Sequence, residues 1–393
     1  MKNINKLKFS KYTRVLCNGE KCIVGNIAFD GRWIKMPYDV YKSLSQKLQD
    51  DSVSFSENEY KYLKAFSEIG VCIDNPQKDT LQLYPSDVTL EITTQCNLAC
   101  KHCSYSFGCK KYSEMSFELI TSIAKWAESK NIKRILLTGG EPFCRKDILN
   151  ICKTIKENFS GVLEIITNGT LITDELIDTI IKHVHTLHIS LDGYDESSVS
   201  KIRGKGVYTK VVNLINQLHN RGYNRITLSC VSTHEDPIFI RNFKVLSEQL
   251  CVKPIIRQLN LKGRAKENFT DDPVELRLAD SLTPKGLTFK CLCNHQYHSI
   301  FINTNAKVFP CAALREDELE IGRFLISENA ISINSSLSAP IVDKIEPCKN
   351  CNVRYFCADT CISRNNVIYL SYQDRIGRCH QRQELLEQLA WHN

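Results

Sequence analysis

The apolar positions of this chain fall into three regimes. Between residues 13 and 36, short apolar runs over 13–16, 21–24 and 33–36 read as strands separated by the turn signals Asn18-Gly19 and Asp30-Gly31. Apolar residues then recur at helical spacing over 40–48 and, after Ser56 as a candidate N-cap, over 57–69. Strands followed by two small helices predict a winged-helix-like module over residues 1–84, with Asn75-Pro76 and Tyr84-Pro85 marking its exit.

From Asp87 the pattern changes. Apolar runs over 88–93, 134–138, 163–167, 186–191, 225–231 and 254–259 alternate with amphipathic stretches over 117–128, 147–157, 174–181, 207–220 and 238–250. Strands separated by helices in this way predict a parallel sheet with crossover helices, an α/β architecture. Periodicity leaves open whether the sheet closes or stays a partial barrel, but in either case functional groups gather at the carboxyl ends of the strands. After about Thr283 the alternation stops, and eight of the remaining residues are cysteines set among turns. A segment with so little apolar core is expected to be held by metal sites.

Composition adds a cofactor to this picture. The apolar fraction of 42% and charged fraction of 24% belong to soluble globular chains and exclude disordered and fibrous classes. The 393 residues allow a catalytic core plus accessory domains. The first eight residues are partly basic but lead into no apolar stretch of signal-peptide or membrane-helix length, so a cytoplasmic protein is expected. The net charge of +7 is spread along the chain rather than gathered with aromatic residues into one face, which speaks against a nucleic-acid partner. Cysteine, at 19 residues, stands out. In a reducing compartment that number points to metal or cluster ligation rather than to a disulfide framework.

Cys96, Cys100 and Cys103 form Cys-x3-Cys-x2-Cys directly after the first strand of the alternating region. Three thiolates hold three irons of a four-iron cluster and leave the fourth iron open to an exogenous chelate. The competing reading is a zinc site completed by Cys109 or His102. The spacing, with His102 before the last cysteine, resembles the radical S-adenosylmethionine superfamily. Further motifs follow in the order that resemblance asks for. Gly139-Gly140-Glu141-Pro142 ends the second strand, Thr167-Asn168 the third and Ser190-Leu191-Asp192 the fourth; Arg203-Gly204 and Gly263-Arg264-Ala265 come after. The resemblance implies that Gly139, Gly140, Glu141, Pro142, Thr167, Asn168, Ser190, Asp192 and Arg203 contact S-adenosylmethionine, with Glu141 at its amine and Arg203 at its carboxylate or ribose.

Cys348-x2-Cys351-x5-Cys357-x3-Cys361, followed by Cys379 and preceded by Cys291, Cys293 and Cys311, resembles the SPASM extension of peptide-modifying radical enzymes. That likeness implies two auxiliary [4Fe–4S] clusters, three with the first. Cys348, Cys351, Cys357 and Cys379 would hold one, and Cys361, Cys311 and the Cys291/Cys293 pair the other. The sequence departs from the pattern at Ala306, where the family places glycine five residues before Cys311. Whether Cys291 and Cys293 both ligate stays open. The other cysteines, Cys17, Cys22, Cys72, Cys109, Cys144, Cys152, Cys230 and Cys251, lack ligand spacing and are expected as small buried hydrophobes.

The resemblance as a whole implies a partial (β/α)6 TIM-like barrel over residues 85–284, an N-terminal leader-peptide recognition domain over 1–84, and a C-terminal SPASM domain over 285–393. It implies an oxidoreductase that generates a 5′-deoxyadenosyl radical and crosslinks a ribosomally made precursor peptide, with flavodoxin or ferredoxin as electron donor and no membrane partner. The alternatives are a sulfatase-maturing enzyme and, from another class, a zinc-dependent nucleic-acid-binding protein.

Overall fold

In the computed structural model the chain divides into two compact units, Met1–Leu83 with Arg277–Tyr297 and Ser338–Asn393, and Tyr84–Leu276 with His298–Leu337. The residues it describes are 7–27, 31–50, 54–74, 85–108, 111–232, 237–269, 287–289, 299–315, 320–333, 341–343, 346, 348–357 and 383–392. Cys109, Cys291, Cys293, Cys361 and Cys379 lie outside them.

In the first unit β1 (Lys8–Phe9), β2 (Thr13–Cys17), β3 (Lys21–Asn26) and β4 (Trp33–Pro37) precede α1 (Tyr38–Lys47), α2 (Glu57–Glu68) and β5 (Cys72–Ile73). β2, β3 and β4 form an antiparallel sheet, and β1 pairs with β5. Ser56 caps α2, accepting from the Glu59 amide while the Glu59 side chain returns to the Ser56 amide. Alternation along β3 separates two cores. Cys22 and Val24 join Leu44, Leu63 and Phe66 under the helices, whereas Ile23 joins Leu16, Phe289, Val353, Phe356 and Trp391. The N-terminal sheet is thus the platform on which the described C-terminal residues pack. Gly25 makes this approach possible, because a Cβ there would lie 2.5 Å from the Phe289 ring.

Two cysteine expectations are corrected here. Cys17 and Cys22 face each other across the β2–β3 register, with Cα atoms 4.3 Å apart, and form a disulfide. Hairpin register, not spacing along the chain, brings them together. Cys251 is exposed, while Cys72, Cys152 and Cys230 are buried as expected.

The second unit is built on β6 (Asp87–Thr93), α3 (Phe117–Ser129), β7 (Arg134–Gly139), α4 (Ile148–Asn158), β8 (Val162–Thr167), α5 (Asp174–His183), β9 (Thr186–Ser190), α6 (Glu196–Arg203), α7 (Val207–Asn220), β10 (Ile226–Ser232), α8 (Pro237–Gln249), β11 (Lys253–Gln258) and α9 (Arg264–Asn268). β6 to β11 run parallel and lie side by side in chain order. Right-handed crossovers in sequential order put the helices on one face and leave the other concave, which is the partial TIM-like barrel. Where the alternation of strand and helix ends, strands nonetheless continue. β12 (Ser299–Ile302) pairs parallel to β6, and β13 (Lys307–Phe309), β14 (Gly322–Leu325) and β15 (Ala330–Ile333) add antiparallel.

Register decides which side chains meet the helices. Val88, Leu90, Ile92, Ile135, Leu137, Ile165, Ile189 and Leu228 form one apolar core with helix residues such as Ile123, Trp126, Ile151 and Leu214. Residues one position out of phase, among them Glu91, Glu164, His188, Ser190 and Ser229, face the concave side. Toward the amino ends of the strands this face carries a polar network in which Glu164 pairs with Arg134 (3.0 Å) and His188 (2.9 Å). The carboxyl ends remain for function.

Candidate active site

The loop after β6 carries Cys96, Cys100 and Cys103. Its backbone is fixed by the Cys96 amide donating to the Gly108 carbonyl (3.1 Å), the Lys101 amide to Ile202 (3.0 Å) and the Cys103 amide to Cys100 (3.2 Å). Cys96 and Cys100 are buried and Cys103 half-buried. Burial pushes the Cys96 thiol up to about 12, with Glu141, Cys100 and Cys144 adding their negative charge. Cys100 is also raised by burial, against the pull of Arg203, whose Nη1 lies 4.0 Å from its sulfur. Cys96 and Cys100 are therefore near neighbours held in the thiol form, and loading them with metal would release protons.

Neighbouring strand ends clamp this loop. Arg264 Nε donates to the Cys100 carbonyl (2.9 Å), and the Ser104 hydroxyl donates to Asn260 (3.3 Å). Gly263 adopts φ +52°, and a Cβ there would lie 2.7 Å from the Ser104 carbonyl, so the residue before Arg264 must be glycine. Tyr105 donates to the Ala312 carbonyl (2.5 Å), and the Arg315 guanidinium stacks 3.8 Å over the Tyr105 ring while pairing with buried Glu91. Gly139 and Gly140 press on the other side. A Cβ on either would stand 2.1 Å from the Thr93 carbonyl or 2.2 Å from that of Gln95. The Gly140 and Glu141 amides donate to those same two carbonyls (2.8 and 2.7 Å).

The residues expected around S-adenosylmethionine separate into two hydrogen-bonded groups. In the first, the buried Glu141 carboxylate accepts from the Asn168 amide (2.6 Å), the Thr167 hydroxyl (2.7 Å) and the Phe143 amide (3.1 Å). Burial still lifts its pKa to about 6, outweighing these donors. Asn168 reaches the cysteine loop, donating to the Asn97 side chain (2.9 Å), and Pro142 begins the short turn after Glu141. Glu141 is thus engaged by the protein itself, and the Gly139–Glu141 backbone is what this motif presents alongside the loop. In the second group Asp192 accepts from Arg203 Nε (2.5 Å) and the Val231 amide (2.6 Å) and lies 2.6 Å from His102 Nε2. Burial would raise Asp192, but Arg203 and His102 overcome it and hold the carboxyl well below the usual range. Ser190 is half-buried on the concave face, opposite Ser229 in register.

Residues 90–236 match the model of the Radical SAM superfamily. This stretch is a radical SAM domain. The chain is 29% identical over 207 residues to the mycofactocin maturase MftC of Mycolicibacterium smegmatis, covering 51% of this chain and 53% of that one. It is 30% identical over 147 residues to a GTP 3′,8-cyclase of Haemophilus influenzae, covering 36% and 43%. The chain thus spans about half the length of the curated relatives it matches. Its fold is similar to that of Streptococcus suis SuiB in a structure bound to S-adenosylmethionine, at 15% identity and a TM-score of 0.54 over 92% of this chain and 100% of that one.

Within the radical SAM domain the donor set fits a four-iron cluster. Three soft thiols share one loop, Cys100 near enough to raise Cys96 and Cys103 near enough to raise Cys100, and the glycine cradle beside them admits no side chain. Among the described residues, no three His, Cys, Asp or Glu side chains form a group able to hold a single metal ion. Of the auxiliary candidates, Cys311 belongs to the same unit as the domain, just before the Ala312–Arg315 segment that docks on the loop. Cys348, Cys351 and Cys357 belong to the other unit, half-buried against the core that holds Val353 and Phe356. The Cys351 amide donates to Cys348 (2.9 Å) and that of Cys357 to Val353 (3.1 Å). Ala306, the departure from the glycine pattern, keeps φ +61°, so the left-handed turn persists with an alanine in it. Sequence reasoning missed Tyr105 and Arg315, which belong to no motif, and the pairing of His102 with Asp192. Among the described residues no helix is long and apolar enough to cross a membrane.

Proposed function

We propose that this chain is a radical S-adenosylmethionine enzyme that modifies a ribosomally made precursor peptide by hydrogen abstraction and closes an intramolecular crosslink, carbon–carbon, ether or thioether. The observation that carries the radical chemistry is the Cys96-Cys100-Cys103 loop, pinned by the carboxyl ends of β6, β7 and β11 inside a radical SAM domain. Cys96, Cys100 and Cys103 would hold the cluster, and the Gly139–Glu141 backbone, Ser190 and Arg203 would orient S-adenosylmethionine. Bound there, the cofactors supply one-electron cleavage of a sulfonium and hydrogen-atom abstraction. The protein contributes placement. Arg203 sets a positive charge beside Cys100, Asp192 holds Arg203 and His102 in position, and Glu141 braces the ends of β7 and β8.

Several observations support a peptide as substrate. MftC is named a maturase, and SuiB has also been solved with its precursor peptide SuiA. The cysteine spacing from Cys348 to Cys379 resembles the SPASM pattern. In this reading Cys348, Cys351, Cys357 and Cys379 hold one auxiliary cluster and Cys361, Cys311, Cys291 and Cys293 the other; these take the substrate's second electron and pass it to a flavodoxin or ferredoxin. Residues 1–84 bind the leader as an added strand beside β2 or β4, the two edges of their sheet.

Anaerobic coexpression with short reading frames beside the gene, followed by mass spectrometry, tests this. A peptide that loses two hydrogens with the native chain, and none when Cys96, Cys100 and Cys103 are alanines, is expected. Identical masses with both, together with no deuterium uptake from solvent, would refute peptide modification.

A further inference from the structure

The cations at the carboxyl ends of the strands are almost all engaged. Arg203 pairs with Asp192, Arg315 with Glu91, Arg264 donates to Cys100 and Lys262 to Ala313. Arg257 is different. It stands near the end of β11 and, among the described residues, makes no hydrogen bond or ion pair. Its direction follows from register. Ile256 packs on the helix-side core, so Arg257, one residue on, faces the concave side. It pairs in register with Val231, whose amide donates to Asp192, and it is two residues beyond Ile255, the partner of Ser229.

Arg257 is solvent-accessible, but its surroundings remove enough water to lower its pKa, against the nearby charge of Asp192. A guanidinium on the concave side without a counter-ion is available to pair with an arriving anion through charge-assisted hydrogen bonds. Asp192 does not serve as this anion, being committed to Arg203, His102 and Val231. A guanidinium fork matches a planar anion bidentately, as a carboxylate offers.

We infer that Arg257 is a specificity residue whose guanidinium anchors a carboxylate of the substrate, from an acidic side chain or a free C-terminus, on the concave face beside Ser190 and Ser229. The assignment rests on the peptide reading above. It places the reacting residue next to, or one or two residues from, the anchored acid, because the fork fixes one end of a short segment while the cysteine loop lies at the carboxyl ends of the neighbouring strands.

Phenylglyoxal footprinting of the full-length, anaerobically reconstituted enzyme, with modification at Arg257 read by peptide mass spectrometry, tests this without turnover. The probes are N-acetylglutamate with its α-carboxyl amidated, N-acetylalanine with its carboxyl free, and N-acetylglutamine amide as the neutral control. One of the two acids should slow modification of Arg257 by about threefold or more relative to the control. Protection by the first assigns the acidic side chain, and protection by the second the C-terminus. Equal rates with all three probes would overturn the proposal, as would full protection by S-adenosylmethionine alone, which would make Arg257 a cofactor contact. If coexpression shows no peptide modification but acid protection persists, the anion site stands and the peptide reading falls. Peptide modification without any acid protection removes the site alone.

Discussion

The loop of Cys96, Cys100 and Cys103 hangs from the carboxyl end of a buried parallel sheet, whereas Cys348, Cys351 and Cys357 sit in short turns packed on a small apolar cluster. In the first region the described backbone is braced at several points: the Thr93 and Gln95 carbonyls against the two glycines, Gly263 against Ser104, Arg264 on Cys100. The second packs Val353, Tyr355, Phe356 and Trp391 on the N-terminal sheet, and its described cysteines lie in the short turns of residues 348–357. The difference separates two ways of presenting thiols. One loop is preorganised by the fold, while the other, in the proposed reading, would take part of its order from the cluster its cysteines would hold.

Four measurements bear on that contrast. The largest effect is expected from Gly140→Ala, whose methyl would stand 2.2 Å from the Gln95 carbonyl. It should cost at least about 3 kcal/mol in thermal unfolding and distort the cysteine loop. A loss below about 1 kcal/mol would mean that the cradle is soft.

Next is the pH dependence at Glu141. Because burial raises its folded pKa from 4.5 to about 6, its contribution to stability is fully present below the unfolded pKa and is lost as pH rises through the folded one. The loss is about 2 kcal/mol for a shift of this size. Denaturant unfolding of the native chain and of Glu141→Gln, compared below pH ~4.5 and above pH ~7, should show the native chain losing that amount and the variant much less. Parallel profiles would contradict a carboxyl whose burial outweighs its three hydrogen-bond donors.

Removing iron with a chelator should be felt unequally. Amides of residues 348–357 should exchange at least about tenfold faster, equivalent to about 1.4 kcal/mol, while those of β6 and β7 keep their protection. Equal loosening of both regions would erase the distinction drawn above. The smallest effect is a gain. Ala306→Gly should stabilise the chain by up to about 1 kcal/mol, because it relieves a left-handed alanine at φ +61°. No gain in melting temperature would mean that the lost methyl contact offsets the relief.

Much of this was legible along the chain, for reasons visible in particular residues. Parallel strands with one face against helices leave apolar residues at alternate positions, such as Val88, Leu90 and Ile92 before Thr93 and Leu163 and Ile165 before Thr167, so the barrel and the loops at its carboxyl ends could be placed. The glycines were legible because backbone approaches within about 2–3 Å of a would-be Cβ exclude every other residue. What sequence did not show are contacts made across the fold by residues that belong to no motif. Arg315 meets Tyr105 and Glu91 from 210 and 224 positions away by pairing β12 beside β6, and Cys17 meets Cys22 through hairpin register. Glu141 shows a third limit. Its motif marks it for a ligand, yet its carboxylate is turned onto Thr167 and Asn168.

The most direct test of the central claim is iron stoichiometry and Mössbauer spectroscopy of the anaerobically reconstituted chain, native and with Cys96, Cys100 and Cys103 changed together to alanine, alongside dithionite-driven cleavage of S-adenosylmethionine. The expected result is that the variant loses about four irons per chain and all cleavage while keeping its remaining iron. Unchanged iron content, or cleavage that survives the triple substitution, would contradict the assignment of this loop as the site where the radical begins.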